Sequence, residues 1–152
     1  MRILIDTNVI LDVLLKRSPF YETAIEVLKL SARDDIQEFV SASAITDIYY
    51  IAYKNLRDKA AVRELLKKLL LIVSVAGVSE EEIQKALELE WNDFEDSVQY
   101  SVAALNEMDG IITRNVKDYS SAEMQVWEPA QFLEKTKSVS YTHLTLPTIL
   151  RV

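Results

Sequence analysis

Acidic residues recur at four separate places in the sequence, each next to the predicted end of a strand or start of a helix. In parallel α/β sheets, ligands sit outside the carboxyl ends of the strands, so these segments would meet at one edge of the sheet. The residues are Asp6 after the first predicted strand, Asp47 in the helix after the second, Asp93 and Asp96 at the start of a later helix, and Asn115 and Asp118 after the fourth strand.

The chemistry that such a cluster favours is metal-dependent hydrolysis. Carboxylates crowded in a cleft repel one another, and a bound Mg²⁺ or Mn²⁺ would offset that repulsion through the oxygen ligands these ions prefer. The chain has no cysteine, and its one histidine, His143, lies near the carboxyl terminus, so a hard ion is favoured over zinc. One or two such ions can activate water to attack a phosphodiester in line. The pattern therefore predicts a nuclease site.

The overall charge limits how such a protein would meet nucleic acid. The full chain has a net charge of −7, and residues 1–135, with 15 basic and 24 acidic residues, carry −9. An acidic domain is not a general phosphate binder, so RNA would have to meet a local basic patch or a bound metal. Gly77 and Gly110 are the only glycines, which excludes phosphate-cradling and dinucleotide-binding glycine loops.

Short apolar runs alternate with amphipathic segments, and this alternation predicts the elements that position the acids. The predicted strands are RILID, EFVSA, LIVSVAG, GIITRN and a short fifth in QVWEP. Strands separated by helices imply a three-layer α/β/α domain with a central, mostly parallel sheet of four or five strands. The predicted helices are residues 8–15 and the segments SPFYETAIEVLKLSA, SAITDIYYIAYKN, DKAAVRELLKKLL, SEEEIQKALELE, DFEDSVQYSVAALNEM and EPAQFLEK.

The two ends of the chain differ in character. Residues 136–152 contain no acids, are rich in threonine and show no helical periodicity. We therefore predict a domain at residues 1–135 followed by a non-native or disordered tail, and without that tail the domain has no imidazole for catalysis.

The apolar amino-terminal stretch carries Asp6 and Asp12, which a signal peptide would not, and no run approaches the length of a membrane span. We predict a cytoplasmic protein with no membrane contact.

Five segments, in this order and spacing, resemble the PIN domain family, and they cover nearly all of residues 1–135. The resemblance implies a metal-dependent ribonuclease that uses Mg²⁺ or Mn²⁺. Its VapC-like group implies a toxin that is held by a cognate antitoxin protein and forms a homodimer. The matching segments are MRILIDTNVILD, SASAITDIYYIA, DFEDSVQYSVA, IITRNVKDY and WEPAQFL.

The resemblance also assigns metal ligands by position. Asp6 matches the first metal-binding acid of the family, and Asp96 matches the third. Asp47 stands where the family usually has Glu, so its shorter side chain would bind through water. Asn115 stands where many members have Asp, and Asp118 lies three residues later. These two departures bear on activity and leave the expected fold unchanged.

Four polar residues are expected to support this site. Thr7 and Asn8 match the residues that brace the first acid, and they are also suitable helix caps. Thr113 and Arg114 precede Asn115, and Arg114 is the cation best placed to grip substrate. Each is therefore predicted to contact either the first acid or the RNA.

Other charged residues have plainer interpretations. Asp93 is a natural N-cap for the helix that it opens. Asp12 and Glu95 are expected to face solvent. The basic residues between positions 54 and 68 form a solvated helix face or, alternatively, a surface for RNA phosphates.

A second class of function stays open from the sequence. A PIN-like domain with weak or lost catalysis would act as a protein- or RNA-binding module, which Asn115 favours and Asp118 opposes. A receiver-like phosphoacceptor domain is disfavoured because Asp6 is followed by Thr7 and Asn8 where paired acids are needed.

Overall fold

Five short parallel strands form the centre of the structure, a computed structural model that describes residues 1–137. The strands are β1 (Arg2–Ile5), β2 (Gln37–Ser41), β3 (Ser74–Ala76), β4 (Gly110–Ile112) and β5 (Gln125–Trp127). Their order across the sheet is β3-β2-β1-β4-β5, and every neighbouring pair is parallel. The predicted sheet and three-layer architecture are confirmed.

Within residues 1–137, seven α-helices cover the two faces of this sheet. They are α1 (Thr7–Leu14), α2 (Tyr21–Lys29), α3 (Ala42–Leu56), α4 (Lys59–Leu69), α5 (Glu80–Leu89), α6 (Phe94–Leu105) and α7 (Pro129–Thr136). One face packs against α1 to α4 and α7, and the other packs against α5 and α6. Within residues 1–137 no helix combines the length and the apolar character needed to cross a bilayer.

The observed bounds of the helices differ slightly from the predicted ones. Residues 18–20 stay outside α2, because the helix begins at Tyr21. The last helix ends at Thr136, beside the predicted boundary between domain and tail. The predictions for residues 138–152, including His143, lie outside the described part of the chain. A short 3₁₀ helix at Val116–Tyr119 was not predicted, and it follows β4 at the carboxyl edge of the sheet.

The strand β1 shows why the sheet is buried on both faces. Ile3 and Ile5 point into the cluster beneath α1 to α4, whereas Leu4 points into the cluster beneath α5 and α6. This alternation follows from the two-residue period of a strand. All three side chains are fully buried, and each stabilises the fold by about 1.5–3 kcal/mol relative to an exposed position.

Side-chain caps start helices directly at the carboxyl edge. Asp6, the residue after β1, caps α1 by accepting a hydrogen bond from Thr7 N at 2.7 Å. Ser41, the last residue of β2, caps α3 through Ala44 N at 3.2 Å. Asp93 caps α6, as predicted from the sequence. Because β1 and β2 pass into helices without intervening loops, α1 and α3 hold their first turns at one end of the sheet.

Gly110 gives a test of packing at β4. A Cβ atom here would lie 2.4 Å from Trp127 Cζ3 and 2.6 Å from the backbone oxygen of Gln125. We expect Gly110→Ala to lower the free energy of unfolding by about 1–3 kcal/mol, since overpacking forces the neighbouring strand to move. Urea denaturation measures this loss. Gly77→Ala is the matched control because no atom of the described chain lies within 4 Å of its Cβ position, and an equal loss there would contradict the explanation.

Candidate active site

A cavity of about 590 Å³ opens at the carboxyl edge of the sheet. Its walls come from the start of α1, the first turns of α3, the amino-terminal end of α6 and the turn after β4. The structure thus brings together all six residues that the sequence analysis placed at this edge. The polar lining includes Asp6, Asp47, Asp93, Glu95, Asp96, Asp118 and Asn115.

Asp6 is the most firmly held of these acids. Its Oδ1 accepts hydrogen bonds from Thr7 N at 2.7 Å and Gln99 Nε2 at 3.1 Å. Its Oδ2 accepts from Thr113 Oγ1 at 2.8 Å and from the Tyr119 hydroxyl at 3.4 Å. Asp6 is only 7% exposed. These donors fix one orientation of a carboxylate at the floor of the cavity.

Asp96 is the acid of this cavity whose pKa is changed most clearly by its surroundings. Burial raises the pKa of Asp96 to about 7, and the negative charges of Asp93, Asp6 and Asp118 add to this effect. The Tyr119 hydroxyl, 3.4 Å from Asp96 Oδ1, acts in the opposite direction by stabilising the carboxylate. A carboxyl group with a pKa near neutrality, facing other acids, is typical of a functional site.

Asp47 and Glu95 form a second acidic pair across the cavity, between α3 and α6. Burial raises the pKa of Glu95, as do the charges of Asp47 and Asp93 and a hydrogen bond shared with Asp47. Glu95 is exposed, as expected, but it also lines the cavity. It therefore adds a longer carboxylate arm beside Asp47, where the sequence analysis expected a solvent-facing residue.

The turn after β4 is tied to Asp6 through Thr113. The Thr113 hydroxyl donates to Asp6 and accepts from Asn115 N at 3.1 Å. Asp118 N then donates to the backbone oxygen of Asn115 at 3.0 Å. Asn8 Oδ1 accepts from Arg114 N at 3.4 Å. Thr113 and Asn8 thus hold the segment that presents Asn115 and Asp118 to the cavity.

The environment of Asp12 differs from the one predicted from the sequence. Asp12 was expected to face solvent, but it is fully buried because two guanidinium groups enclose it. Arg114 Nε lies 2.7 Å from Asp12 Oδ2 in an ion pair without hydrogen-bond alignment, and Arg114 Nη2 donates to Oδ1 at 3.3 Å. Arg17 Nη1 lies 3.9 Å from the same Oδ1. Burial raises the pKa of Asp12, and Arg114 and Arg17 partly offset that rise.

Arg114 is held away from the acids that it was predicted to assist. Its guanidinium lies on Asp12 and over the ring of Phe20, and it lines a neighbouring cavity. Arg17, which the sequence analysis did not single out, lines the acidic cavity instead. The role of Arg114 in gripping substrate stays a prediction.

Two other contributors were missed, Gln99 and Tyr119. Gln99 lies three residues after Asp96 on α6, so helical spacing could have placed both on one face. Tyr119 follows Asp118, but its approach to Asp6 depends on the 3₁₀ helix, for which the sequence carries no clear signal. Trp91 packs edge-on to Tyr119 with ring centroids 6.0 Å apart, so its fluorescence can report on this network.

The donor chemistry of the cavity fits a hard divalent cation. Its potential ligands are carboxylate and amide oxygens, which suit Mg²⁺ and Mn²⁺. Next to Asp6, Gln99 Oε1 is buried and has no hydrogen-bond partner among the described residues, which leaves one more oxygen free to contact an ion or its water. In the described part of the chain, no three acids stand as a ready set of ligands. Carboxylates that share a cavity repel one another, and a bound cation would offset that repulsion.

Known proteins resemble this chain over most of its length. Ribonuclease VapC1 of Aquifex aeolicus is 26% identical over 139 residues, which cover 88% of this chain and 94% of that protein. A toxin–antitoxin complex from Klebsiella pneumoniae contains a chain that matches with a TM-score of 0.63 and 21% identity, over 83% of this chain and 96% of that one. A chain of VapBC2 from Rickettsia felis, in a structure bound to a DNA fragment from their promoter, matches with a TM-score of 0.65 and 16% identity. The match covers 84% of this chain and 98% of that one.

The family of this chain is shown by a family-model match that includes residues of the acidic cavity. At these identities, the two solved structures show a shared fold. The family model described as "PIN domain" matches residues 2–117, which include Asp6, Asp47, Asp96 and Asn115. The match and the geometry agree that the acidic edge of the sheet lies within the shared domain. The chain belongs to the PIN domain family.

Proposed function

We propose that the protein is a metal-dependent endoribonuclease that hydrolyses RNA phosphodiester bonds and is the toxin of a toxin–antitoxin pair. The observation that carries this proposal is the acidic cavity, in which a fixed Asp6 faces Asp96, whose pKa is raised to about 7. Six carboxylates in one cavity are costly without a cation. The similarity to Ribonuclease VapC1 supports RNA as the substrate.

In this proposal, Asp6, Asp47 and Asp96 hold Mg²⁺ or Mn²⁺, and Asn115 or Asp118 completes the set. A bound ion would activate water and stabilise negative charge on the leaving oxygen. Thr7, Gln99, Thr113 and Tyr119 hold the Asp6 carboxylate in place. That orientation is set before substrate arrives, so little free energy is spent on rearrangement during the reaction.

The partners follow from the same proposal. The solved relatives include a toxin–antitoxin complex and a VapBC2 assembly bound to promoter DNA. We therefore propose that an antitoxin protein binds this chain and blocks its cavity, and that the chain forms a homodimer, as its family resemblance implies. Size-exclusion chromatography with light scattering measures the second of these directly.

Cleavage of a mixed-sequence single-stranded RNA tests the proposed function. We expect cleavage in the presence of Mn²⁺ or Mg²⁺ and none with EDTA, because the carboxylates then have no ion to position water. Products are resolved on denaturing gels. A folded protein that cleaves none of several RNAs would contradict the nuclease and favour the binding-module alternative, in which Asp47 and Asn115 mark the loss of catalysis.

A further inference from the structure

The loop between α1 and α2, residues 15–20, carries a cation and an aromatic ring that the proposed reaction does not use. Arg17 lines the acidic cavity. Among the described residues that line this cavity, it is the only cation, and it faces six carboxylates. A strand of RNA entering the cavity therefore meets one positive side chain of the protein at its wall.

The same loop also borders a second cavity, of about 350 Å³. Phe20 and Arg114 lie on its wall, with Thr23 beside them. The Arg114 guanidinium carbon is 4.0 Å from the centroid of the Phe20 ring, so the two planar groups form a cation–π pair. Phe20 is nevertheless 38% exposed. An exposed aromatic ring backed by a guanidinium is a surface on which a nucleobase can stack.

Asp12 joins these two cavities. Its buried carboxylate contacts Arg17, which lines the acidic cavity, and Arg114, which lines the second. Backbone hydrogen bonds also connect the loop to both helices. Arg17 N donates to the backbone oxygen of Asp12 in α1 at 3.0 Å, and Tyr21 N in α2 donates to the backbone oxygen of Arg17 at 2.8 Å. The loop is therefore held at a fixed position relative to the acids.

We propose that this loop is a subsite for the nucleotide next to the phosphodiester that is cleaved. Arg17 binds the neighbouring phosphate, and the Phe20–Arg114 pair stacks on the base. Asp12 is the positioning residue that holds both arginines. The inference rests on the proposed ribonuclease function and names single-stranded RNA, whose bases are free to stack, as the substrate class.

RNA is favoured over a protein ligand because of where Arg17 lies. It contacts Asp12 at the edge of the cavity that holds the acids, within reach of a substrate bound there. A phosphate that approaches the acids of this cavity is repelled, and a cation beside them lowers that repulsion for the adjoining phosphate. Stacking adds attraction that does not depend on base identity.

The phosphate contact is tested with Arg17→Gln and Lys16→Gln. Both changes remove one positive charge from the same exposed loop, so they weaken long-range attraction for RNA equally. We expect Arg17→Gln to lower kcat/KM for a mapped RNA substrate by roughly tenfold, and Lys16→Gln by about twofold or less. An uncharged methylphosphonate at the adjoining position should lower kcat/KM for the wild type and leave that of Arg17→Gln unchanged.

The base contact is tested with Phe20→Ala, together with Phe20→Leu, which keeps an apolar side chain at the start of α2. We expect Phe20→Ala to lower kcat/KM by roughly 5- to 100-fold. Leu87→Ala is the control, because Leu87 is 61% exposed and lies outside both cavities. An abasic nucleotide beside the cleaved bond should slow the wild type and leave both Phe20 variants unaffected.

The outcomes separate the subsite from the proposed function. A wild-type protein that cleaves RNA, together with Arg17 and Phe20 variants that match their controls, would overturn the subsite and leave the nuclease intact. A folded wild type that cleaves no RNA would contradict the nuclease and the subsite together. Phe20 variants that cleave RNA at the wild-type rate but no longer bind a protein inhibitor would assign the loop to protein recognition and overturn its role in RNA binding.

Discussion

Asp96→Asn is expected to lower metal-dependent RNA cleavage severely while leaving the metal-free protein at least as stable as the wild type. The loss in kcat/KM should be on the order of 10²- to 10³-fold, because a metal ion supplies several kcal/mol of charge stabilisation in the transition state. Stability should not fall, since Asp96 is repelled by Asp93, Asp6 and Asp118. Cleavage is assayed at pH 8, where Asp96 has lost the proton that a metal ligand must release.

Asp93→Asn is the matched control for this experiment. Asp93 lines the same cavity and precedes the same helix, but its carboxylate caps α6 by accepting from Asp96 N at 3.0 Å. Asparagine caps a helix as well as aspartate does, so the fold is kept while one negative charge is removed. Equal losses of cleavage in the Asp93 and Asp96 variants would show that total charge matters and would contradict a ligand role for Asp96.

Thermal unfolding gives a second readout that does not depend on activity. Mn²⁺ at millimolar concentration should raise the Tm of the wild type and of Asp93→Asn, because a ligand that binds only the folded state stabilises it. The rise should be absent in Asp96→Asn. Asp6→Asn is the less suitable variant, because each Asp6 oxygen accepts two hydrogen bonds and an amide would turn one of these acceptors into a donor.

The sheet and its acidic edge could be predicted because they depend on local patterns. The run from Ile3 to Ile5 is apolar throughout, which is typical of a parallel strand buried on both faces. Once the strands alternate with helices, the carboxyl-edge rule places Asp6, Asp47 and Asp96 together. The five parallel strands within residues 1–137 and the shared cavity agree with that reasoning.

The supporting residues could not be predicted in the same way, because their contacts join distant parts of the chain. Asp12 and Arg114 are 102 residues apart, and nothing in their local sequence distinguishes a buried ion pair from two solvated charges. Tyr119 reaches Asp6 across 113 positions only because a 3₁₀ helix turns it inward. Contacts of this kind depend on how elements pack, which local periodicity does not encode.

Glu38→Met is expected to raise the free energy of unfolding at pH 8 by about 1–3 kcal/mol, the usual cost of an unsatisfied buried polar group. Glu38 lies in β2 beside Ile3 of β1 and is 2% exposed. Both of its carboxylate oxygens are buried without a hydrogen-bond partner among residues 1–137. Methionine has a similar length and a flexible apolar side chain, so it can fill the same space. Urea denaturation of both proteins measures the gain.

The pH dependence of this gain identifies its cause. Burial raises the pKa of Glu38 well above its ordinary value of 4.5. Below pH 4.5 the carboxyl group is neutral in both the folded and unfolded chains, so the wild type and the variant should differ least there. As pH rises, the unfolded chain loses this proton first, and the wild type loses stability relative to Glu38→Met until the pH passes the raised pKa.

Glu38→Gln separates ionisation from polarity. It keeps the shape and an unpaired polar group but cannot ionise, so its stability should lie between those of the wild type and Glu38→Met at pH 8 and match the wild type near pH 4. Parallel pH profiles for the wild type and Glu38→Met would contradict this account. The pKa values of Glu38 and Asp96 are both raised, by burial alone at Glu38 and by burial together with neighbouring acids at Asp96. Asp96 faces other acids across a cavity where a cation can bind, whereas Glu38 lies in an apolar core, so metal should stabilise the fold through Asp96 and leave the effect of Glu38 unchanged.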